Sequence, residues 1–107
     1  MAAAADPALN LYIQSVEAEA KLDICASPSV GMGSDFGRAF QVWRAAHAAA
    51  LAEGAATATE RGMTNETRPS IQSFARMNAQ ILASLPTDDR QRRCNELLAF
   101  FRGQEAR

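Results

Sequence analysis

The chain has few of the residues that usually carry chemistry. Its 107 residues include two cysteines and single copies of histidine, tryptophan, tyrosine and lysine. One histidine and two cysteines cannot supply the three or four ligands of a zinc-type site. No apolar run reaches about 18 residues, so no membrane span is predicted. The net charge of −1 gives no electrostatic reason to expect binding to nucleic acid or to an anionic membrane.

Catalytic motifs are also lacking. The Gly31-Met32-Gly33 stretch has glycines before a helix, but no strand precedes it and no lysine follows, so it does not fit a phosphate loop. Glu17 and Glu19 do not share a helical face. Without a triad, a metal cluster or a nucleotide motif, we expect no enzyme activity. We predict no catalytic residue, metal ligand or cofactor.

Alanine is abundant and β-branched residues are few, which favours helix throughout. Start and stop signals predict four helical segments. The first runs from the cap Asp6 to Cys25, and the second from Ser34 to Gly54 or, as we prefer, on to Gly62. The third lies between Pro69 and Pro86. The fourth is capped by Thr87 and ends at Gly103.

The apolar residues of each segment recur at helical spacing. The second segment carries the stripe Phe36, Phe40, Trp43, His47, Ala50 and Leu51. The third is expected to bury Ile71, Phe74, Ala75, Asn78, Ile81, Leu82 and Leu85. Short connections between such segments predict an all-α, up-down-up-down four-helix bundle. We expect residues 6–103 to form a single helical domain, with 1–5 a disordered remnant of a processed signal or expression tag and 104–107 a frayed end.

Cys25 closes the first segment, and Cys94 lies two turns into the last one, 69 residues further along the chain. In an up-down-up-down bundle they share one end, so we expect a disulfide from helix 1 to helix 4. Two reduced buried thiols are the alternative. A disulfide indicates an oxidising compartment.

The amino terminus is consistent with export. Ala3 and Ala5 match the small-residue pattern that precedes a signal-peptide cleavage site, and Met1 would then have been added for expression. We therefore expect a periplasmic or secreted protein whose signal peptide has been removed.

Two surfaces are candidates for a partner. The first segment has a second, thinner apolar stripe formed by Leu11, Ala18 and Leu22. The second segment has an uncharged back formed by Ala45, Ala48, Ala49 and Ala52, continued by Ala55 and Ala56. Smooth, uncharged helix faces permit close approach of another helix.

A small ligand is an alternative occupant of the bundle. Trp43, His47, Phe74 and Asn78 are the expected contacts for an apolar molecule or haem. Packing is the other interpretation of His47. If the second segment ends near Gly54, His47 and Asn78 come to similar heights and could bond.

We therefore expect a small exported helical protein that acts by binding another protein. A second copy of the same chain, giving a homo-oligomer, is one candidate for that partner. In format and length alone it is similar to helical inhibitors, immunity proteins and chaperone-like factors of the bacterial periplasm. The alternatives are a bundle that binds an apolar ligand or haem, and a cytosolic interaction domain with reduced cysteines.

Overall fold

A computed structural model of the chain describes residues 6–64 and 69–103. Within these ranges the chain is helical and contains no strand. The helices are α1 (Pro7–Ala20), α2 (Leu22–Cys25), α3 (Asp35–Ala46), α4 (Ala48–Glu60), α5 (Ile71–Ala83) and α6 (Thr87–Phe101). The expectations for residues 1–5 and 104–107 lie outside the described residues.

The all-α prediction is confirmed, but the described residues form six helices where four segments were expected. The first segment is interrupted at Lys21 and the second at His47. The second segment passes Gly54 as we preferred, because α4 continues to Glu60. The interruption falls at His47 instead, whose φ of −114° and ψ of 21° leave the helical region.

Local capping explains where several helices begin and end. The Asp6 side chain accepts a hydrogen bond from the Leu9 N–H at 3.1 Å, as predicted for an N-cap. At the end of α4, the Gly62 N–H donates to Thr59 and the Met63 N–H donates to Ala58. This bonding pattern is a Schellman motif, with Gly62 at a φ of +72°.

Two predicted caps are different in the structure. Neither Ser34 nor Thr87 caps a helix with its side chain: α6 has Pro86 at its N-cap position and starts at Thr87. By contrast Ser70, which we did not single out, caps α5. Its hydroxyl accepts from the Ser73 N–H, and the Ser73 hydroxyl accepts from the Ser70 N–H. This reciprocal pair is a capping box.

Helix α1 packs chiefly against α4 and α5, whereas α3 packs against α6. The start of α1 meets the end of α4, because Asp6 pairs with Arg61 at 3.4 Å. These two helices therefore run antiparallel. Tyr12 of α1 accepts a hydrogen bond from Gln72 at the start of α5. Further along both helices Glu17 meets Asn78, so α1 and α5 run parallel.

The buried residues form two clusters. The larger joins α3 and α6 to the end of the first segment, and the smaller lies where α1, α4 and α5 meet. The larger contains Ala18, Cys25, Val30, Phe36, Ala39, Phe40, Trp43, Leu82, Cys94 and Phe101; the smaller contains Leu9, Ala58 and Ile71. The rings of Phe36, Phe40 and Trp43 all contact Phe101, with centroids 5.2 to 5.5 Å apart.

Cys25, the last residue of α2, and Cys94, two turns into α6, form the expected pair. Their sulfur atoms are 2.11 Å apart and their Cα atoms 5.5 Å apart. Both side chains are wholly buried within the larger cluster. The bond joins the end of α2 to α6, so it ties the first helical segment to the last.

Candidate functional site

Helix α5 carries an uncovered row of large apolar side chains. Phe74, Met77 and Ile81 are 51%, 48% and 53% exposed. At 100° per residue they fall within an arc of about 60°, so they form one ridge along the helix. We call these three residues the α5 ridge. Exposed contiguous apolar surface of this kind marks binding sites more often than isolated apolar residues do.

The α5 ridge corrects an expectation, because Phe74 and Ile81 were predicted to be buried. Helix α5 buries Ile71, Ala75 and Leu82, as expected, and also Ala79. It packs chiefly on α1 and touches α6 only sparsely. The apolar face of α5 is therefore wider than the part of the helix that α1 and α6 cover. The sequence contained one sign of this, since Met77 extends the row of Phe74 and Ile81 beyond the expected core face.

A groove of about 340 Å³ runs beside the α5 ridge, where α5, α6 and the end of the first segment meet. It is lined by Lys21, Asn78, Ile81, Leu82, Arg93, Glu96 and Leu97. Ile81 belongs to both features, so the groove and the ridge form one continuous surface. Sequence reasoning did not find this groove, because helical spacing does not show how far apart two helices lie.

The polar groups of the groove are unevenly paired. The Asn78 amide donates to both carboxylate oxygens of Glu17, at 3.2 and 3.0 Å. Lys21 Nζ lies 3.5 Å from the same carboxylate. Glu17 is thus hydrogen-bonded by Asn78 and neutralised by Lys21. In the described part of the chain no hydrogen bond or ion pair is found for Arg93, which is exposed.

The structure does not assemble the ligand site expected from Trp43, His47, Phe74 and Asn78. Trp43 is buried among the rings of Phe40, His47, Phe100 and Phe101, whereas Phe74 is exposed on α5. The expected bond between His47 and Asn78 is wrong as well. His47 Nδ1 lies 2.8 Å from the Trp43 carbonyl, and Asn78 bonds to Glu17. Because a carbonyl only accepts, His47 Nδ1 carries the hydrogen.

The second apolar stripe of the first segment is not a surface. Ala18 is completely buried in the larger cluster, and Leu11 and Leu22 are partly buried against it. This stripe is internal because α1 and α2 have neighbours on both apolar sides. By contrast, the uncharged back of the second segment is a surface, because Ala45, Ala48, Ala49 and Ala52 are all exposed. We call these four residues the alanine face.

The arginines at the start of α6 are largely engaged. Arg90 donates to the backbone carbonyls of Ala83 and Leu85, at 3.3 and 2.9 Å. It therefore ties the start of α6 to the end of α5. Arg92 pairs with Asp89 at 2.8 Å. Of this cluster, Arg93 alone lines the groove.

Across residues 6–64 and 69–103 no three His, Cys, Asp or Glu side chains are grouped as metal ligands would be. None of the helices there combines the length and the apolar character that crossing a membrane requires. The chain matches no protein-family model, no curated protein and no solved structure.

Proposed function

We propose that this chain is a small exported helical protein that acts by binding another protein, in the manner of an inhibitor, immunity protein or chaperone-like factor. The observation that carries the proposal is the α5 ridge. Aromatic side chains, Met and Arg are enriched at the centres of protein interfaces, and charged residues are otherwise depleted there. Residues 69–87 match this composition, because Arg76 is their only charged residue.

The α5 ridge replaces the alanine face as the main contact in this proposal. Fully burying a large apolar side chain contributes about 1.5–3 kcal/mol, so covering the exposed half of each ridge side chain contributes about 0.7–1.5 kcal/mol, and a methyl group contributes about 0.8 kcal/mol at most. Ala49 and Ala52 can contribute only methyl groups. We keep the alanine face as a second contact to be tested beside the ridge.

The proposal places the protein in the periplasm or outside the cell. The pairing of Cys25 and Cys94 supports this, since disulfides persist mainly in oxidising compartments. The proposal also treats the six helices as four rods in an up-down-up-down bundle. The antiparallel pairing of α1 with α4 and the parallel pairing of α1 with α5 support that arrangement.

Site-specific photo-crosslinking tests the proposal in cells that make the protein. A photoreactive residue at Met77 is expected to give one discrete protein adduct. The same residue at Val42, which is 66% exposed on α3, is the matched control and should give none. The substitution Ile81→Lys should abolish the adduct while the circular dichroism spectrum stays helical.

The outcomes separate the two surfaces. An adduct from a photoreactive residue at position 49 but not at position 77 would show that the partner binds the alanine face and not the α5 ridge. Equal labelling from Met77 and Val42, or none from either surface, would refute the binding proposal. For the compartment, the protein isolated from cells after alkylation should be lighter by two hydrogens than its reduced form. Two alkylated cysteines would contradict export.

A further inference from the structure

We infer that Met77 is a site of reversible oxidation, at which a peroxide converts the thioether to a sulfoxide and so changes the α5 ridge from an apolar to a polar surface. The modification concerns the free protein and does not depend on the proposed function. Its effect on a partner rests on that function.

Few side chains in the described part of the chain can react with a peroxide. The sulfur groups, thiolates and thioethers, are the ones that such an oxidant attacks readily. Both cysteines are already joined in the disulfide and are wholly buried, so no free cysteine remains. The reactive groups are therefore thioethers. Residues 6–64 and 69–103 contain three of them, at Met32, Met63 and Met77.

Exposure separates Met77 from the other two methionines. Met77 is 48% exposed, in the middle of the α5 ridge. Met32 packs against the larger buried cluster and Met63 against the smaller one, so each is only partly accessible. Susceptibility to oxidation rises with exposure, because the sulfur must meet the oxidant in solution. Met77 is therefore expected to react first of the three.

The reaction is an oxygen transfer that needs only the thioether and the peroxide. A sulfur lone pair attacks one oxygen of hydrogen peroxide, so a sulfur–oxygen bond forms while the oxygen–oxygen bond breaks. The departing hydroxide takes the hydrogen of the transferred oxygen and leaves as water. The sulfur loses two electrons, the peroxide gains them, and the product is methionine sulfoxide.

The sulfoxide changes the centre of the α5 ridge. Met77 follows Phe74 by three residues and precedes Ile81 by four, so its side chain lies between theirs on the helix face. Oxidation replaces a flexible apolar side chain with a polar one. Burying the new oxygen against an apolar surface without a hydrogen-bond donor costs free energy. One modification therefore divides the ridge into two separate apolar residues.

Oxidation of Met77 should leave the fold intact. The residue belongs to neither buried cluster, and α5 packs on its neighbours through a different face, which contains Ala75 and Leu82. Oxidation of Met32 or Met63 would instead bring a polar group against a buried cluster. Met77 is thus the described methionine at which oxidation changes the surface and spares the core.

Limited oxidation of the purified, disulfide-bonded protein with dilute hydrogen peroxide tests the site. Peptide mapping by mass spectrometry should find one added oxygen at Met77 at a severalfold higher rate than at Met32 or Met63. The circular dichroism spectrum should stay helical. In hydrophobic-interaction chromatography the oxidised protein should elute earlier than the untreated one. Methionine sulfoxide reductases for both sulfoxide epimers should restore the original retention.

Two substitutions assign the change in retention to this residue. Met77→Leu keeps an apolar side chain of similar volume without the sulfur, so peroxide should not change its retention. Met77→Gln places a polar side chain there and should elute early without peroxide. Oxidation of Met32 or Met63 as fast as Met77, an equal shift in Met77→Leu, or a shift that the reductases do not reverse would overturn the inference.

The effect on a partner is measured in cells with the photoreactive residue at position 74. Peroxide should reduce the adduct severalfold in the wild-type background and leave it unchanged in the Met77→Leu background. Equal loss from both would refute control of binding by Met77 and leave the proposed function standing. If no adduct forms from position 74 or 77 without peroxide, the proposed function fails, whereas mapping and retention still decide the modification.

Discussion

Gly54 in the middle of α4 lies directly against the main chain of Ala8 in α1. A Cβ atom at position 54 would overlap the Ala8 carbonyl oxygen and would lie 2.7 Å from Tyr12 Cβ. Gly54 therefore permits the close antiparallel contact of α1 and α4. The glycine that resembled a helix end in the sequence is a helix-crossing point in the structure.

The substitution Gly54→Ala should destabilise the protein by at least about 2 kcal/mol, measured by urea denaturation. Alanine favours helix over glycine by about 1 kcal/mol, but overpacking against a rigid backbone costs about 1–3 kcal/mol or more. Gly37→Ala in α3 is the matched control. Its new Cβ meets only Leu22 Cδ1 at 3.9 Å, so it should be neutral or stabilising. Equal effects of the two substitutions would contradict this account of Gly54.

Reduction of the bond between Cys25 and Cys94 should lower the free energy of unfolding by about 4 kcal/mol, since the bond closes a loop of 69 residues in the unfolded chain. Denaturation with and without reductant measures the difference. The double variant Cys25→Ala/Cys94→Ala is the control, because reductant should not change its stability. An unchanged midpoint for the reduced wild type would refute the stabilising role.

Two phenylalanine-to-alanine substitutions should differ strongly in cost. Phe101 is buried and contacts four aromatic rings, so Phe101→Ala should cost about 3–5 kcal/mol. Phe74 is half exposed, so Phe74→Ala should cost no more than about 1 kcal/mol. Unfolding followed by the fluorescence of Trp43 measures both. A large loss of unfolding free energy from Phe74→Ala would indicate that Phe74 is buried in the core and would contradict its exposure on α5.

Two serine-to-alanine substitutions should separate a true cap from a false one. Ser70 is 2% exposed and caps α5, so Ser70→Ala should cost about 1 kcal/mol. Ser34 makes no capping bond: its hydroxyl accepts from the exposed Arg38 side chain. Ser34→Ala should therefore change the thermal midpoint far less. Similar losses from both would mean that Ser34 also caps α3 in solution.

The prediction from sequence was most accurate where the determinant was local. The cap at Asp6, the helix ends at Gly62 and Gly103, and the helical character of every described segment follow from residues within one or two turns. The pairing of Cys25 with Cys94 was also expected, although it needed an assumption about topology.

The prediction was wrong where the determinant was a neighbouring helix. Helical spacing identifies which side chains share a face, but not which face another helix covers. Ala18 was expected on a surface and is completely buried, whereas Phe74 was expected in the core and is half exposed. The break at His47 and the close approach at Gly54 were equally invisible to periodicity.

The sequence alone thus determined the helical character of the described segments and several of their ends, because capping and hydrophobic spacing act within a few residues. Only the tertiary structure decided that α5 packs on α1 and scarcely on α6, since that depends on the sizes of side chains far apart in the chain. That packing leaves Phe74, Met77 and Ile81 uncovered, and with them the surface on which the proposed function depends.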